Sequence, residues 1–313
     1  MKLLATSLLL LGSQIALSAT DVVYGVDNRK DVYETSNPLH LKLVKSTAGR
    51  IPVRSFVKNL NGLLKIGSSA TLESDMNVCS TVQYADQPVV ADYSGFLVGP
   101  DILVTAGHCY IGESGSPEDS CKKYAWVFDY ALNSAGQNPI ENISPSNVYN
   151  CKQVIKAQRD KFLDYAVIKL DRKVEGREPL KFRTSGKISV TTPLVVIGHP
   201  TGLPSKISDG GKVTYNSELT RFSTNLDTFA GNSGSAVFDS KTGLLEGILI
   251  MGKTDYIPSD LNDPTSCQII NTCDENGNNC VAGQEEFPVD HGEVVLRISN
   301  ITSVLQNALK EEI

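Results

Sequence analysis

The chain has 313 residues and a formal charge of −6, from 29 Lys and Arg against 35 Asp and Glu, and is 41% hydrophobic. That content is ordinary for a globular protein and excludes general disorder; an acidic balance with no basic run excludes a phosphate-neutralising nucleic-acid surface. No stretch reaches roughly 18 consecutive apolar residues, so no membrane span is expected.

The chain opens as an export signal: Lys2 supplies a positive start, residues 3–17 are apolar, and the small residues Ser18, Ala19 and Thr20 follow. A signal peptide is read at 1–19, and a secreted or periplasmic protein is expected. Residues 20–75 are mixed in polarity and read as an N-terminal arm or leader. From Tyr93 the pattern changes. Gly95-Phe96-Leu97-Val98, a turn at Gly99-Pro100-Asp101 and Ile102-Leu103-Val104-Thr105 predict a hairpin.

Further short strands are predicted at 125–128, 154–155, 165–170 and 194–197, and a second hairpin at 235–238 and 244–251. Many short strands with frequent Gly and Pro turns indicate an all-β sandwich or barrel. At the C-terminus Val294, Ile298, Ile301, Leu305 and Ala308 fall at steps of four and three. That spacing predicts an amphipathic α-helix, capped by Asp290 and Glu293 and docked on its own barrel.

Seven cysteines in an exported chain favour disulfides over metal thiolates, and the odd count leaves one thiol over. No CxxC pair occurs and there are four histidines, so no zinc site is expected. Cys267, Cys273 and Cys280 bracket an acidic loop whose spacing does not fit an EF-hand, so a disulfide loop is preferred there.

Three segments carry chemistry. Thr105-Ala106-Gly107-His108-Cys109 follows a strand, Asp164 opens one, and Gly231-Asn232-Ser233-Gly234-Ser235 is a turn entering another. Amide hydrolysis needs a nucleophile, a base, a group that orients the base, and donors for the oxyanion. Ser233 is read as nucleophile, His108 as base and Asp164 as its orienting carboxylate, with the N–H groups of Gly231 and Ser233 as the oxyanion hole. His40, His199 and His291 lack the TAGH context. An α/β-hydrolase is disfavoured because Ser235 replaces the second Gly of GxSxG.

With TAGHC, DYAVIKL and GNSGSAVF in the order His, Asp, Ser, the chain resembles the chymotrypsin superfamily of serine endopeptidases. More narrowly it resembles the bacterial glutamyl-endopeptidase-like, trypsin-like branch, which also uses GNSGS. Residues 24–29, Tyr-Gly-Val-Asp-Asn-Arg, are similar to sequence near the mature N-terminus of that branch. The resemblance implies two packed six-stranded antiparallel β-barrels, read as 76–185 and 186–313, the latter including the C-terminal helix.

It also implies substrate-binding positions. Asp227, six residues before the nucleophile, corresponds to the floor of the primary pocket in trypsin-like members and suggests cleavage after Arg or Lys. Glutamyl endopeptidases use a Ser or Thr with a His; Thr228 matches the first, but Leu249 stands where the His belongs, which disfavours Glu specificity. Met251 and Gly252 would pair with the substrate backbone. Asn232 replaces the Asp that captures a new N-terminal amine in trypsin-like enzymes, so any activation takes another route. Arg50-Ile51 and Arg54-Ser55 are candidate processing sites, although an exposed basic residue in an arm is the ordinary reading.

The expected partners are polypeptide substrates, with no nucleic acid, no membrane, no cofactor and no metal, and a monomer is expected. The competing readings are a protease-like binding or adhesion protein with an unused or occluded site, and a disulfide-stapled surface module.

Overall fold

The computed structural model describes residues 22–112, 116–281 and 291–310. The signal segment read at 1–19 and Asp290, read as a helix cap, lie outside them. In the first half, β1 (Thr47–Pro52), β2 (Tyr93–Leu97), β3 (Ile102–Thr105), β4 (Tyr124–Phe128), β5 (Val148–Arg159) and β6 (Asp164–Leu170) close into a barrel in the order β6-β3-β2-β1-β4-β5. In the second, β7 (Pro193–Gly198), β8 (Lys206–Tyr215), β9 (Arg221–Thr224), β10 (Ala236–Asp239), β11 (Leu245–Met251) and β12 (Glu293–Arg297) run β7-β10-β11-β12-β9-β8. There the β7–β8 pairing completes the ring. All twelve strands run antiparallel to their neighbours, so both six-stranded barrels implied by the family resemblance are present.

These strands form because their β-branched and aromatic residues fill barrel interiors. In β6, Tyr165, Ala166, Val167 and Ile168 are buried in succession, and Val167 pairs with Val104. Phe96 and Trp126 of the first barrel and Val195, Ile197 and Ile248 of the second belong to one continuous buried cluster. Each large apolar side chain removed from water in this way contributes roughly 1.5–3 kcal/mol. The shared core fixes the barrels against each other, and the cleft between them is where the chemistry-bearing turns meet.

Three sequence expectations need correction. The stretch read as an arm at 20–75 supplies β1, which pairs with both β2 and β4, while Arg29–Asp31 adds a strand to the edge of β8. β1 escaped notice because Thr-Ala-Gly-Arg-Ile-Pro shows no polar alternation, being buried along almost its whole length. Arg50 within it is therefore no processing site: its guanidinium is buried, pairs with Asp92 at 2.7 Å and lies 4.0 Å over the Tyr124 ring. At the other end, Glu293 and Val294 do not begin a helix but belong to β12, which sits between β9 and β11. The α-helix covers Thr302–Lys310, after a short 3-10 turn at Ile298–Ile301. Its Leu309 lies against Gly99, so it docks on the first barrel's hairpin turn rather than on its own barrel alone.

The two long connections, 53–92 and 252–292, are tied together across the barrels. Cys79 is bonded to Cys267 in the hairpin of Tyr256–Asp260 and Asp263–Ile270, and the Cys79 N–H donates to Gln268 O at 2.8 Å. Cys121–Cys151 and Cys273–Cys280 complete the disulfides, the latter closing the acidic loop. Cys109 is the free thiol; it is buried, and burial pushes it up to about 12. Among the described residues no helix is long and apolar enough to cross a membrane.

Candidate active site

His108 lies on the 3-10 turn Gly107–Cys109 that follows β3, and Asp164 is the first residue of β6, which pairs with β3. The pairing of those two strands brings base and carboxylate together. Asp164 Oδ2 lies 2.8 Å from His108 Nδ1, and Oδ1 accepts the His108 backbone N–H at 2.8 Å. Because a carboxylate can only accept, Nδ1 carries a proton, and in the neutral ring Nε2 is then the acceptor. The carboxylate spends both oxygens on one residue and so fixes both the place and the tautomer of the ring. Tyr93 stands edge-on to the imidazole at 5.6 Å.

Ser233 precedes β10 in a tight turn. Asn232 N–H donates to Phe229 O at 2.9 Å, Ser235 N–H to Asn232 O at 2.8 Å, and Gly234 N–H to Leu249 O at 2.8 Å. The N–H groups of Gly231 and Ser233 find no acceptor among the described residues. Unspent backbone donors in a tight turn are what an oxyanion site would use. Gly231 holds φ at +87°, a region costly for any residue with a Cβ. At Gly234 a Cβ would meet Ser94 O and Thr105 Oγ1 within 2.2 Å, so the turn presses against the strand that leads to His108. No hydrogen bond joins His108 to Ser233 among the described residues; the structure brings their segments into contact without that bond.

Asn232 is buried and its Oδ1 accepts from Ser235 Oγ at 3.2 Å, a bond that holds the turn from within. Asp227, read as the floor of the primary pocket, is 2% exposed. Its Oδ1 accepts Tyr24 N–H at 2.8 Å and its Oδ2 accepts Asn28 N–H at 2.7 Å. The N-terminal turn thus wraps both carboxylate oxygens. Burial raises this carboxyl to about 7, against the lowering effect of those two amides. Thr228 Oγ1 donates to Glu293 Oε2 at 2.7 Å, and Tyr24 Oη donates to Glu293 Oε1 at 2.8 Å.

Glu293 is the residue that sequence reasoning missed, since reading it as a helix cap hid its place in β12 facing Thr228. Met251, half-buried, ends β11 opposite Val294, with Gly252 following it. His199 is fully buried, stacked on Tyr130 at 5.4 Å, with Nδ1 at 3.0 Å from Leu203 O; burial lowers it to about 4 and keeps it neutral. Among the described residues no three His, Cys, Asp or Glu side chains converge so as to hold a metal ion.

Residues 93–248 match the family model of the trypsin-like peptidase domain. Among solved structures, a Glu endopeptidase in complex with MPD is similar over 93% of this chain and 100% of its own, at 15% identity and a TM-score of 0.50. The VesB protease of Vibrio cholerae is similar over 92% of this chain and 67% of its own, at 13% identity and a TM-score of 0.50. At such identities the likeness is one of fold. No curated protein sequence matches the chain. The chain therefore carries a trypsin-like peptidase domain at residues 93–248, set on a chymotrypsin-like fold of two closed six-stranded barrels.

Proposed function

We propose that this chain is a secreted or periplasmic serine endopeptidase that cleaves peptide bonds through an acyl-enzyme on Ser233. The observation that carries the reading is the two-point hold of Asp164 on His108, which leaves Nε2 as the acceptor. In the reaction His108 Nε2 takes the Ser233 hydroxyl proton as Oγ attacks the peptide carbonyl, and Asp164 stabilises the imidazolium. The developing oxyanion is received by the N–H groups of Gly231 and Ser233. The imidazolium then protonates the leaving amine, and a water molecule hydrolyses the acyl-enzyme by the same proton path.

The direct test is labelling with a fluorophosphonate probe. Attachment at Ser233 that is lost in His108→Ala supports the peptidase. A folded protein that takes up no label supports the protease-like binding or adhesion reading instead. Removing Ser233 or His108 is expected to lower turnover by on the order of 10⁴-fold or more.

The substrate's primary side chain is proposed to be Arg or Lys. Two buried carboxylates, Asp227 and Glu293, lie around Tyr24 and Thr228, and Leu249 supplies no cation for an acidic partner. Each Asp227 oxygen accepts one backbone N–H and keeps a lone pair, and a substrate cation would favour the charged form of this carboxyl. A peptide-library digest decides: cleavage after basic residues that weakens in Asp227→Ser supports the assignment, and cleavage after Glu rejects it. The three disulfides accord with an oxidising compartment.

A further inference from the structure

Ser94, the second residue of β2, touches the turn that carries Ser233 through both its side chain and its backbone. It is 1% exposed. Its hydroxyl donates to Gly231 O at 2.9 Å and accepts the His199 backbone N–H at 2.9 Å. Its N–H donates to Ser233 O at 3.0 Å, and its carbonyl accepts from Thr105 Oγ1 at 2.7 Å. One residue of the first barrel therefore grips the carbonyls on both sides of Asn232, and is itself anchored to the strand leading to His108.

We propose that Ser94 is a positioning residue for the oxyanion hole: its hydroxyl, oriented by the His199 N–H, holds the peptide plane after Gly231, while the Thr201 N–H holds the plane before it, which carries the Gly231 N–H aimed at the reacting oxygen. Gly231 has no Cβ to resist rotation of its two flanking peptide planes. The plane before it is tethered because Ala230 O accepts the Thr201 N–H, and the next plane back is held in turn because Ala230 N–H donates to Asp255 Oδ2 at 2.9 Å. The plane after it is tethered by Ser94. The hydroxyl has a single proton; since His199 already supplies a donor, that proton goes to Gly231 O. With both planes held, the Gly231 N–H keeps one direction before any substrate arrives, which is what lets a donor act without reorganisation at the moment of reaction. Thr201 shows how much geometry is invested here: it is β-branched yet holds φ at +48°, a conformation that persists only where its surroundings enforce it.

This inference rests on the peptidase reading, and the experiment separates the two. The full chain, Ser94→Ala, Ser94→Cys and Ser46→Ala are compared for fluorophosphonate labelling rate, for kcat and KM on fluorescently labelled casein, and for melting temperature. Ser46 is an equally buried serine whose hydroxyl donates to the remote Glu178 O at 2.7 Å. Ser94→Ala is expected to lose roughly 10- to 100-fold in kcat and in labelling rate with KM within about twofold, somewhat less than deletion of an oxyanion donor itself. Ser94→Cys, with a weak donor in place of the hydroxyl, is expected to fall between it and the parent. Ser46→Ala should lower the melting temperature and leave kcat unchanged. A folded Ser94→Ala, or Ser94→Cys if the alanine variant does not fold, with the parent's kcat overturns the inference. A parent chain that takes no label overturns the peptidase reading instead.

Discussion

Asp164 shows how much a single side chain can determine when both its oxygens are committed. Replacing it with Asn sets an amide N–H against either the His108 backbone N–H or Nδ1, so the ring loses its imposed tautomer. Asp164→Asn is expected to reduce kcat about 10⁴-fold while the melting temperature changes by only a few degrees, measured by active-site titration and calorimetry. A variant with near-parental turnover would mean that the carboxylate does not orient the base. This pair was legible in the sequence because its segments carry their own punctuation: a strand end, a glycine, and an acid opening an apolar run. The roles of Asp227 and Glu293 were not legible. Each acquires its partners, Tyr24, Asn28 and Thr228, from more than 60 positions away in the chain, and no local spacing encodes that.

Among the elements, the strands that sequence made plain are those whose β-branched runs sit between clear turns, such as β3, β6 and β10. β8 was passed over because Asp209-Gly210-Gly211 in its middle imitates a turn, although the strand continues through it. At the C-terminus a helical period in steps of four and three ran from Val294 to Ala308, but the need to close the second barrel between β9 and β11 overrode that period as far as Arg297. The helix that remains, Thr302–Lys310, depends on few contacts, with Leu305 and Ala308 as its buried residues. Leu305 is completely enclosed, so Leu305→Ala is expected to destabilise the protein by about 2–5 kcal/mol, read by urea titration. A change below about 0.5 kcal/mol, the range of surface substitutions, would mean that the helix contributes little to the fold.

For the whole molecule, the pH response is set by groups enclosed where the barrels meet. His199 titrates at about 4 in the folded chain against its ordinary 6.5, because burial opposes its charge. The unfolded chain therefore binds the extra proton first, and stability falls as pH drops from about 6.5 through 4, by on the order of 3 kcal/mol from this group. Asp227, raised to about 7, acts with the opposite sign between its ordinary value and 7, gaining stability as pH falls. Comparing the parent with His199→Gln cancels the Asp227 contribution: the parent's melting temperature should decline more steeply than the variant's between pH 7 and pH 4. Parallel curves would show that His199 is not held neutral. A last consequence follows from β12 lying between β9 and β11 although it is the last of the twelve barrel strands in sequence. Any polypeptide stopped short of residue 293 presents two facing rows of unpaired backbone groups, the kind of open edge on which chains stack into aggregates. Synthesis must pass Arg297 before the second barrel of this protein is safe from its own copies.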